Sequence, residues 1–175
     1  MSFFKRIPWV FEVRDIWPES IVAVEVMKKN IFIKFLELVE KKLYKFSTHI
    51  VVVTDSFKKN IISKGILPSK ITILENGCNL DYFSPQNADV NLIKKLKLDN
   101  KFLIGYIGTL GMAHGLEFII RSIKKINNKN YHFLFIGEGA EKNNLIEITN
   151  KLKLNNVTFI DLLPKNKLLK YFSII

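Results

Sequence analysis

The sequence has one cysteine, Cys78, among 175 residues. A single thiol cannot close an internal disulfide, and it excludes a cysteine-rich zinc site. Arginine is nearly as scarce: Arg6, Arg14 and Arg121 are the only three, so 24 of the 27 basic residues are lysine. Forked contacts to bases use arginine, and no aromatic-basic RNA motif occurs, so nucleic-acid recognition is disfavoured. There is no Asp-x-Asp pair for a metal-bound diphosphate, no GxSxG elbow for a nucleophilic serine and no GxxxxGK[ST] phosphate loop. No two acids are set convincingly on facing strand ends, which argues against a paired-carboxylate glycosidase. No uncharged apolar run reaches the roughly 18 residues of a spanning helix. The opening segment Met1–Asp15 lacks the apolar run and cleavage site of a signal peptide. The expectation is a soluble, cytoplasmic protein.

Charge of one sign is what the sequence has in excess. The formal net charge is +11. It divides almost evenly, +5 up to Gly77 and +6 after it, so there is no basic tail. Such a spread of lysine reads chiefly as a solvated surface, with attraction to anionic lipid or phosphorylated ligands as the functional alternative. With 48% apolar and 25% charged residues the composition is globular, and the length suits one domain or two small halves.

Hydrophobic patterning predicts an alternation of strands and helices. Trp9–Arg14 reads as a strand, followed by a loop at Pro18. Ile31–Phe46 repeats Phe32, Phe35, Leu36, Val39, Leu43 and Phe46 at helical spacing, and this face is expected in the core. Its lysines, Lys34, Lys41, Lys42 and Lys45, offer the second reading of a helix lying on an anionic membrane. The β-branched run His49–Thr54 reads as a buried parallel strand, with a helix capped by Asp55 or Ser56 and stopped by Gly65. Ile71–Leu74 is a further strand. The turn formers of Asn76–Pro85 predict a boundary, giving segments 1–77 and 78–175. Beyond it come a helix Val90–Leu96, a strand Lys101–Ile107, a helix Leu116–Ile126, a strand Tyr131–Ile136, a helix Ala140–Leu152 and a strand Val157–Ile160. Pro164 is placed to open a final helix in its first turn. The fold class is therefore α/β, as two partial parallel-sheet segments with right-handed crossovers.

Two glycine loops follow strands of the second segment. Ligands of open α/β sheets sit beyond the carboxyl ends of the strands. Gly108, Gly111 and Gly115 lie there, ahead of a helix whose free N–H groups and dipole favour an anion. This pattern argues for a diphosphate ligand; the plainer reading is a tight turn whose glycines only allow packing. The second loop, Gly137-Glu-Gly-Ala-Glu-Lys142, begins like GxGxxG but has Lys142 at the third glycine. With Asp161 where a ribose-binding acid would stand, an NAD-binding domain is a weak rival.

Four motifs carry a family resemblance: Phe11-Glu-Val-Arg-Asp-Ile-Trp-Pro-Glu-Ser20, Ile73-Leu-Glu-Asn-Gly-Cys-Asn-Leu-Asp-Tyr-Phe-Ser-Pro85, Ile104-Gly-Tyr-Ile-Gly-Thr-Leu-Gly-Met-Ala-His-Gly-Leu-Glu117 and Phe133-Leu-Phe-Ile-Gly-Glu-Gly-Ala-Glu-Lys142. In this order they resemble glycosyltransferase family 4, enzymes of GT-B type with two Rossmann-like domains. The forms RDxWPES and GTxGMAHG look like the bacterial surface-polysaccharide branch that includes fucosamine-type transferases. The resemblance implies retaining transfer from a nucleoside-diphosphate sugar to a lipid-linked or polysaccharide acceptor, at the inner face of the cell membrane. It implies no metal and no cofactor, only the nucleotide sugar as donor substrate. By that analogy 1–77 is the end of the acceptor-side domain and 78–175 the start of the donor domain, a chain truncated at both ends.

The implied donor contacts are Gly108, Thr109, Gly111, His114 and Gly115 at the diphosphate, and Gly137, Glu138, Gly139 and Lys165 on the nucleoside side. His114 stands where many members have lysine, and the first loop has no arginine; its plainer reading is a packing or capping residue. Asp15 matches the acidic position after a common active-site histidine, where this chain has Arg14. Asp15 and Glu19 are the catalytic candidates, weighed against a turn cap and a solvated charge. Trp17 reads as a packing residue before a sugar platform, and Asn76-Gly77 as a hinge turn. The family's Glu-x7-Glu motif falls beyond Ile175. The alternative is therefore a non-catalytic remnant or nucleotide-binding module, and the expectation for this chain alone is little or no turnover.

Overall fold

A computed structural model describes residues 7–23, 27–126 and 128–175. The chain divides into two compact units, Met1–Cys78 and Asn79–Ile175, with Cys78 exposed.

The first unit contains β1 (Val10–Val13), α1 (Glu19–Ala23), α2 (Ile31–Phe46), β2 (His49–Val52), α3 (Asp55–Ser63), a 3-10 turn (Pro68–Lys70) and β3 (Ile71–Ile73). The strands form a parallel sheet in the order β1-β2-β3, with Phe11 beside Ile50 and Ile50 beside Ile71. Alternate residues point one way. Val13, Ile50, Val52 and Ile71 meet Tyr44 of α2 and Ile61 of α3 in one cluster. Each fully buried aliphatic side chain there contributes about 1.5–3 kcal/mol.

The orientation of α2 corrects the expected core face. Ile33 and Tyr44 are fully buried, whereas Phe32, Phe35, Leu43 and Phe46 are exposed. The buried stripe is instead Ile33, Glu40 and Tyr44. A polar cluster explains the choice. Tyr44 donates to Glu40 Oε1 at 2.6 Å, and Lys64 Nζ reaches the two Glu40 oxygens at 2.9 and 2.8 Å. The Lys64 ammonium also lies 5.9 Å from the Tyr44 ring centre. Burial, then the adjacent Glu40 carboxylate, pushes the Tyr44 phenol well above its ordinary range. A buried carboxylate is tolerated only when its lone pairs are met, and here both oxygens are.

Local signals set the element ends, with differences from expectation. Asn30 caps α2 through Oδ1, accepting from Ile33 N at 2.9 Å. Thr54, not Asp55 or Ser56, caps α3, accepting from Phe57 N at 3.2 Å. Thr54 precedes the first helical turn, so its hydroxyl faces the free amides, while Asp55 already lies inside the helix. Gly65 takes φ +89° just past the end of α3. The loop expected at Pro18 leads into the short helix α1.

The second unit contains α4 (Val90–Leu96), β4 (Phe102–Ile107), a 3-10 turn (Met112–His114), α5 (Leu116–Ile123), β5 (Tyr131–Ile136), α6 (Lys142–Lys151), β6 (Val157–Ile160) and α7 (Lys165–Phe172). Its parallel sheet has the order β4-β5-β6. The central strand β5 is apolar on both faces. Phe133 and Phe135 pack with Leu116, Ile120, Leu145 and Ile148 of α5 and α6, while Leu134 packs with Leu98, Leu103 and Ile174 near α4 and α7. A strand covered on both sides reads as an unbroken apolar run, as this one does. Pro164 sits at the N-cap of α7, one position earlier than expected.

α4 and α6 stop in the same way. Lys97 and Lys153 take left-handed φ of 57° and 54°. Leu98 N then donates to Ile93 O, and Leu154 N to Thr149 O, both at 3.1 Å. This is a Schellman ending, and each leucine packs onto its core.

Removing the cation under Glu40 would strand a buried charge. Lys64→Met is expected to destabilise the first unit by about 3 kcal/mol. The double variant Glu40→Leu, Lys64→Met should lose less, and urea unfolding of the chain measures both.

Candidate functional site

The carboxyl ends of β4, β5 and β6 bring the two glycine loops together. β4 ends at Ile107, and Gly108 N donates to Ile136 O at 3.0 Å. Tyr106 folds back so that its hydroxyl donates to Thr109 O at 2.8 Å. Leu110, fully buried, plugs the base of the loop, its N–H donating to Glu138 O at 2.9 Å while its carbonyl accepts from Glu141 N at 3.0 Å.

Two glycines of the second loop make this clasp possible. A Cβ on Gly137 would lie 1.9 Å from Gly108 O, and one on Gly139 would lie 2.2 Å from Leu110 O. Gly137 also has φ +150°. Both are therefore demanded by packing, not by an open ligand surface. The first-loop glycines differ. A Cβ on Gly111 would meet nothing nearer than Thr109 Cγ2 at 3.5 Å, and one on Gly115 would meet nothing within 4 Å. Gly115 has left-handed φ +60° and directly precedes α5. Gly111, with φ −119°, could carry a side chain without strain.

The first loop lies at the surface and carries unpaired donors. Gly108, Thr109, His114 and Gly115 are exposed. The amide hydrogens of Thr109, Gly111, Met112 and Ala113 have no acceptor among the described residues. His114 and Gly115 instead donate theirs to Gly111 O and Met112 O, closing the 3-10 turn. The positive end of α5 follows directly. The His114 ring is on the surface, in an edge contact with Tyr106 at 6.0 Å. The loops thus offer an unfilled row of N–H groups at the position expected for an anion.

Lys142 and Lys165 have structural partners. Lys142 binds both Glu138 Oε1 and Asp161 Oδ1, which raises its pKa, the Asp161 hydrogen bond first. Asp161 is therefore paired, and the acid that would recommend an NAD-binding domain is already engaged. Lys165 opens α7 with its ammonium 5.0 Å from the Tyr82 ring centre and 5.2 Å from that of Phe83. A cation over aromatic faces is held there by the ring quadrupoles.

The first-unit candidates gather past the carboxyl ends of its strands. Arg14 donates to Asn76 Oδ1 at 2.9 Å and pairs with Glu12 at 3.2 Å. Asn76 is thus bound to the end of β1, and the hinge turn expected at Asn76-Gly77 lies further on, at residues 80–82. Asp15 is exposed, and its carboxylate has no partner among the described residues. Both Glu19 oxygens are engaged: Oε1 with Lys64 at 3.0 Å and Oε2 with Asn60 at 3.0 Å. Burial opposes its ionisation, but the Lys64 and Asn60 hydrogen bonds outweigh it and hold its pKa below the ordinary carboxylate range. Glu19 is tied to α3 and its C-cap through both oxygens while its side chain stays exposed. Trp17 does not pack in the core as expected; 45% of it is exposed.

Sequence reasoning missed Tyr106, Leu110 and Lys142 as the residues that shape the site. Leu110 acts across the gap between the two loops and Lys142 through Asp161 beyond the next strand, contacts that local pattern does not mark, while Tyr106 folds back onto Thr109 of its own loop.

Comparison with known proteins fits this geometry. Residues 89–175 match the family described as Glycosyl transferases group 1. The glycosyltransferase MJ1059 of Methanocaldococcus jannaschii is 32% identical over 155 residues, covering 85% of this chain and 38% of the relative. The capsular polysaccharide biosynthesis glycosyltransferase CapM of Staphylococcus aureus is 27% identical over 143 residues, 79% of this chain and 36% of the relative. Among solved structures, Anabaena Alr3699/HepE in complex with UDP and glucose superposes with a TM-score of 0.77 at 18% identity, covering 99% of this chain and 46% of that one. The fold is thus α/β of partial GT-B type. The chain spans less than two fifths of the length of these curated relatives.

Two stability outcomes follow. Gly137→Ala should destabilise the second unit by about 3 kcal/mol, since backbone must move; Gly111→Ala should be near neutral. Urea titration separates them. In the first unit, Glu19's depressed pKa contributes stability at neutral pH that is lost as pH falls through its folded value. Glu19→Gln should flatten the acid limb of the stability curve, read by unfolding at stepped pH.

Proposed function

We propose that the second unit binds the diphosphate of a nucleoside-diphosphate sugar, and that the chain is part of a retaining glycosyltransferase of bacterial surface-glycan synthesis. The acceptor is a lipid-linked or polysaccharide hydroxyl. On this reading 1–77 closes the acceptor-side domain and 78–175 opens the donor domain.

The observation that carries the reading is the set of amides at Thr109, Gly111, Met112 and Ala113 that have no acceptor among the described residues. Departure of a nucleoside diphosphate concentrates negative charge on the leaving oxygens. Fixed N–H dipoles that need no reorganisation stabilise that charge most effectively. The α5 N-terminus adds its partial positive charge. The nearest acids do not oppose it, since Glu117 is paired with Arg121 and Glu138 with Lys142. His114 supplies a further hydrogen-bonding group, and Gly137-Glu-Gly139 and Lys165 border the nucleoside side. In the first unit, Asp15 is the carboxylate free to orient a hydroxyl. Support also comes from HepE, whose structure holds UDP and glucose, and from CapM, named for capsular polysaccharide biosynthesis.

A membrane-side location fits the outward face of α2. Phe32, Phe35, Leu38 and Leu43 are exposed there beside Lys34, Lys41 and Lys42. Apolar side chains with flanking lysines suit the boundary of an anionic bilayer.

Calorimetry with UDP, GDP, ADP and dTDP tests the donor site. Gly111→Val should weaken the bound nucleotide at least tenfold, about 1.4 kcal/mol. Because a side chain at Gly111 is unstrained, the loss would report on the ligand and not on folding. Unchanged affinity would remove this loop from the site. For the membrane reading, the chain should float with phosphatidylglycerol liposomes at low salt, and Phe32→Ser, Phe35→Ser should reduce flotation. Absence of co-flotation would reject that placement.

A further inference from the structure

The opposite end of the second sheet carries a different concentration of charge. A hollow of about 470 Å³ lies there, lined by Lys101, Lys124, Lys129 and Lys153 together with asparagines and His132. Lys101 precedes β4, Lys124 and Lys129 fall between α5 and β5, and Lys153 falls between α6 and β6. These are the amino ends of the strands, so the length of β4 and β5, about 20 Å at 3.3 Å per residue, separates the hollow from the glycine loops.

Among the described residues, no carboxylate lines it. Surfaces usually intersperse charges of both signs, and the related turn after α4, Lys97-Leu98-Asp99-Asn100, does hold an acid. The turn here, Lys153-Leu154-Asn155-Asn156, has asparagine in that place. Four ammonium groups around one depression repel one another unless an anion joins them.

The donors are partly preorganised. Lys101 Nζ donates to Lys129 O at 2.8 Å, and Lys124 Nζ to Leu152 O at 3.1 Å. Each ammonium retains two further N–H bonds. Asn128 Oδ1 accepts from Asn130 N at 2.9 Å, which leaves its NH₂ group as the free end. Side chains already anchored lose less freedom on binding. His132 lies on the floor, with Nε2 2.9 Å from Thr158 Oγ1. Its pKa is lowered by burial and then by the Lys101 charge.

We propose that this hollow binds a multiply charged phosphate, such as a pyrophosphate group, at a site separate from the glycine loops. The proposal does not depend on the function assigned above. Its ligand is either a soluble phosphate or a phosphorylated lipid headgroup, which share this chemistry.

Calorimetry with sodium pyrophosphate tests it on the intact chain and on the Gly111→Val variant, whose glycine-loop site is impaired. NMR titration of the His132 ring provides a second readout. Binding is expected, with a rise in the His132 pKa as the anion offsets Lys101. Lys101→Gln, Lys129→Gln should weaken binding at least tenfold with an unchanged urea midpoint, whereas Gly111→Val should leave it intact. A parallel titration uses vesicles of phosphatidic acid, whose headgroup is a phosphomonoester, or of phosphatidylcholine. A His132 response to pyrophosphate identifies a soluble ligand; a response to phosphatidic acid vesicles alone identifies a headgroup. No response to either, or affinity unaltered by the double lysine substitution, overturns the site.

Discussion

The second unit depends on how closely two backbone loops approach. Gly137 and Gly139 let the second loop lie against the carbonyls of Gly108 and Leu110 at distances that admit no side chain. Leu110 bonds to that loop from both its amide and its carbonyl, and its side chain seals the core beneath. With those bonds satisfied internally, the amides of Thr109, Gly111, Met112 and Ala113 are left without an acceptor among the described residues.

This division of labour changes how the glycines are understood. Spacing alone groups Gly108, Gly111, Gly115, Gly137 and Gly139 as one kind of feature. In the structure a side chain at Gly137 or Gly139 would collide with backbone, one at Gly108 would press on Tyr106, and Gly111 and Gly115 leave room for one. The separation is invisible in the sequence because it depends on which carbonyl of a distant loop lies opposite each Cα.

The fold itself was largely legible. β5 runs Tyr131–Ile136 and β6 Val157–Ile160 as the apolar runs predict, and α2 begins and ends where Asn30 and Ser47 change the pattern. Periodicity failed on the facing of α2. The apolar stripe through Phe32 and Phe35 is the stronger signal, yet the chain turns Ile33, Glu40 and Tyr44 inward. A helical wheel counts Glu40 as solvent-facing, and it cannot register that Lys64, 24 residues later, will neutralise it. Glu19, Lys142 and Lys165 follow the same rule, since each is defined by a partner remote in sequence. In the site, the loop positions were readable, but the engagement of their charged side chains was not.

The two proposals place two anions at opposite ends of one parallel sheet. Parallel strands gather all their carboxyl ends on one side and all their amino ends on the other. Glycine loops occupy one side and lysine-bearing turns the other, with the apolar strand β5 between them. The sole thiol, Cys78, is exposed at the last position of the first unit. A maleimide dye would therefore attach at one defined place without any engineered cysteine, next to Asn76, which Arg14 holds to the end of β1. Its anisotropy would report the local freedom of the connecting segment while each unit remains unlabelled in its core.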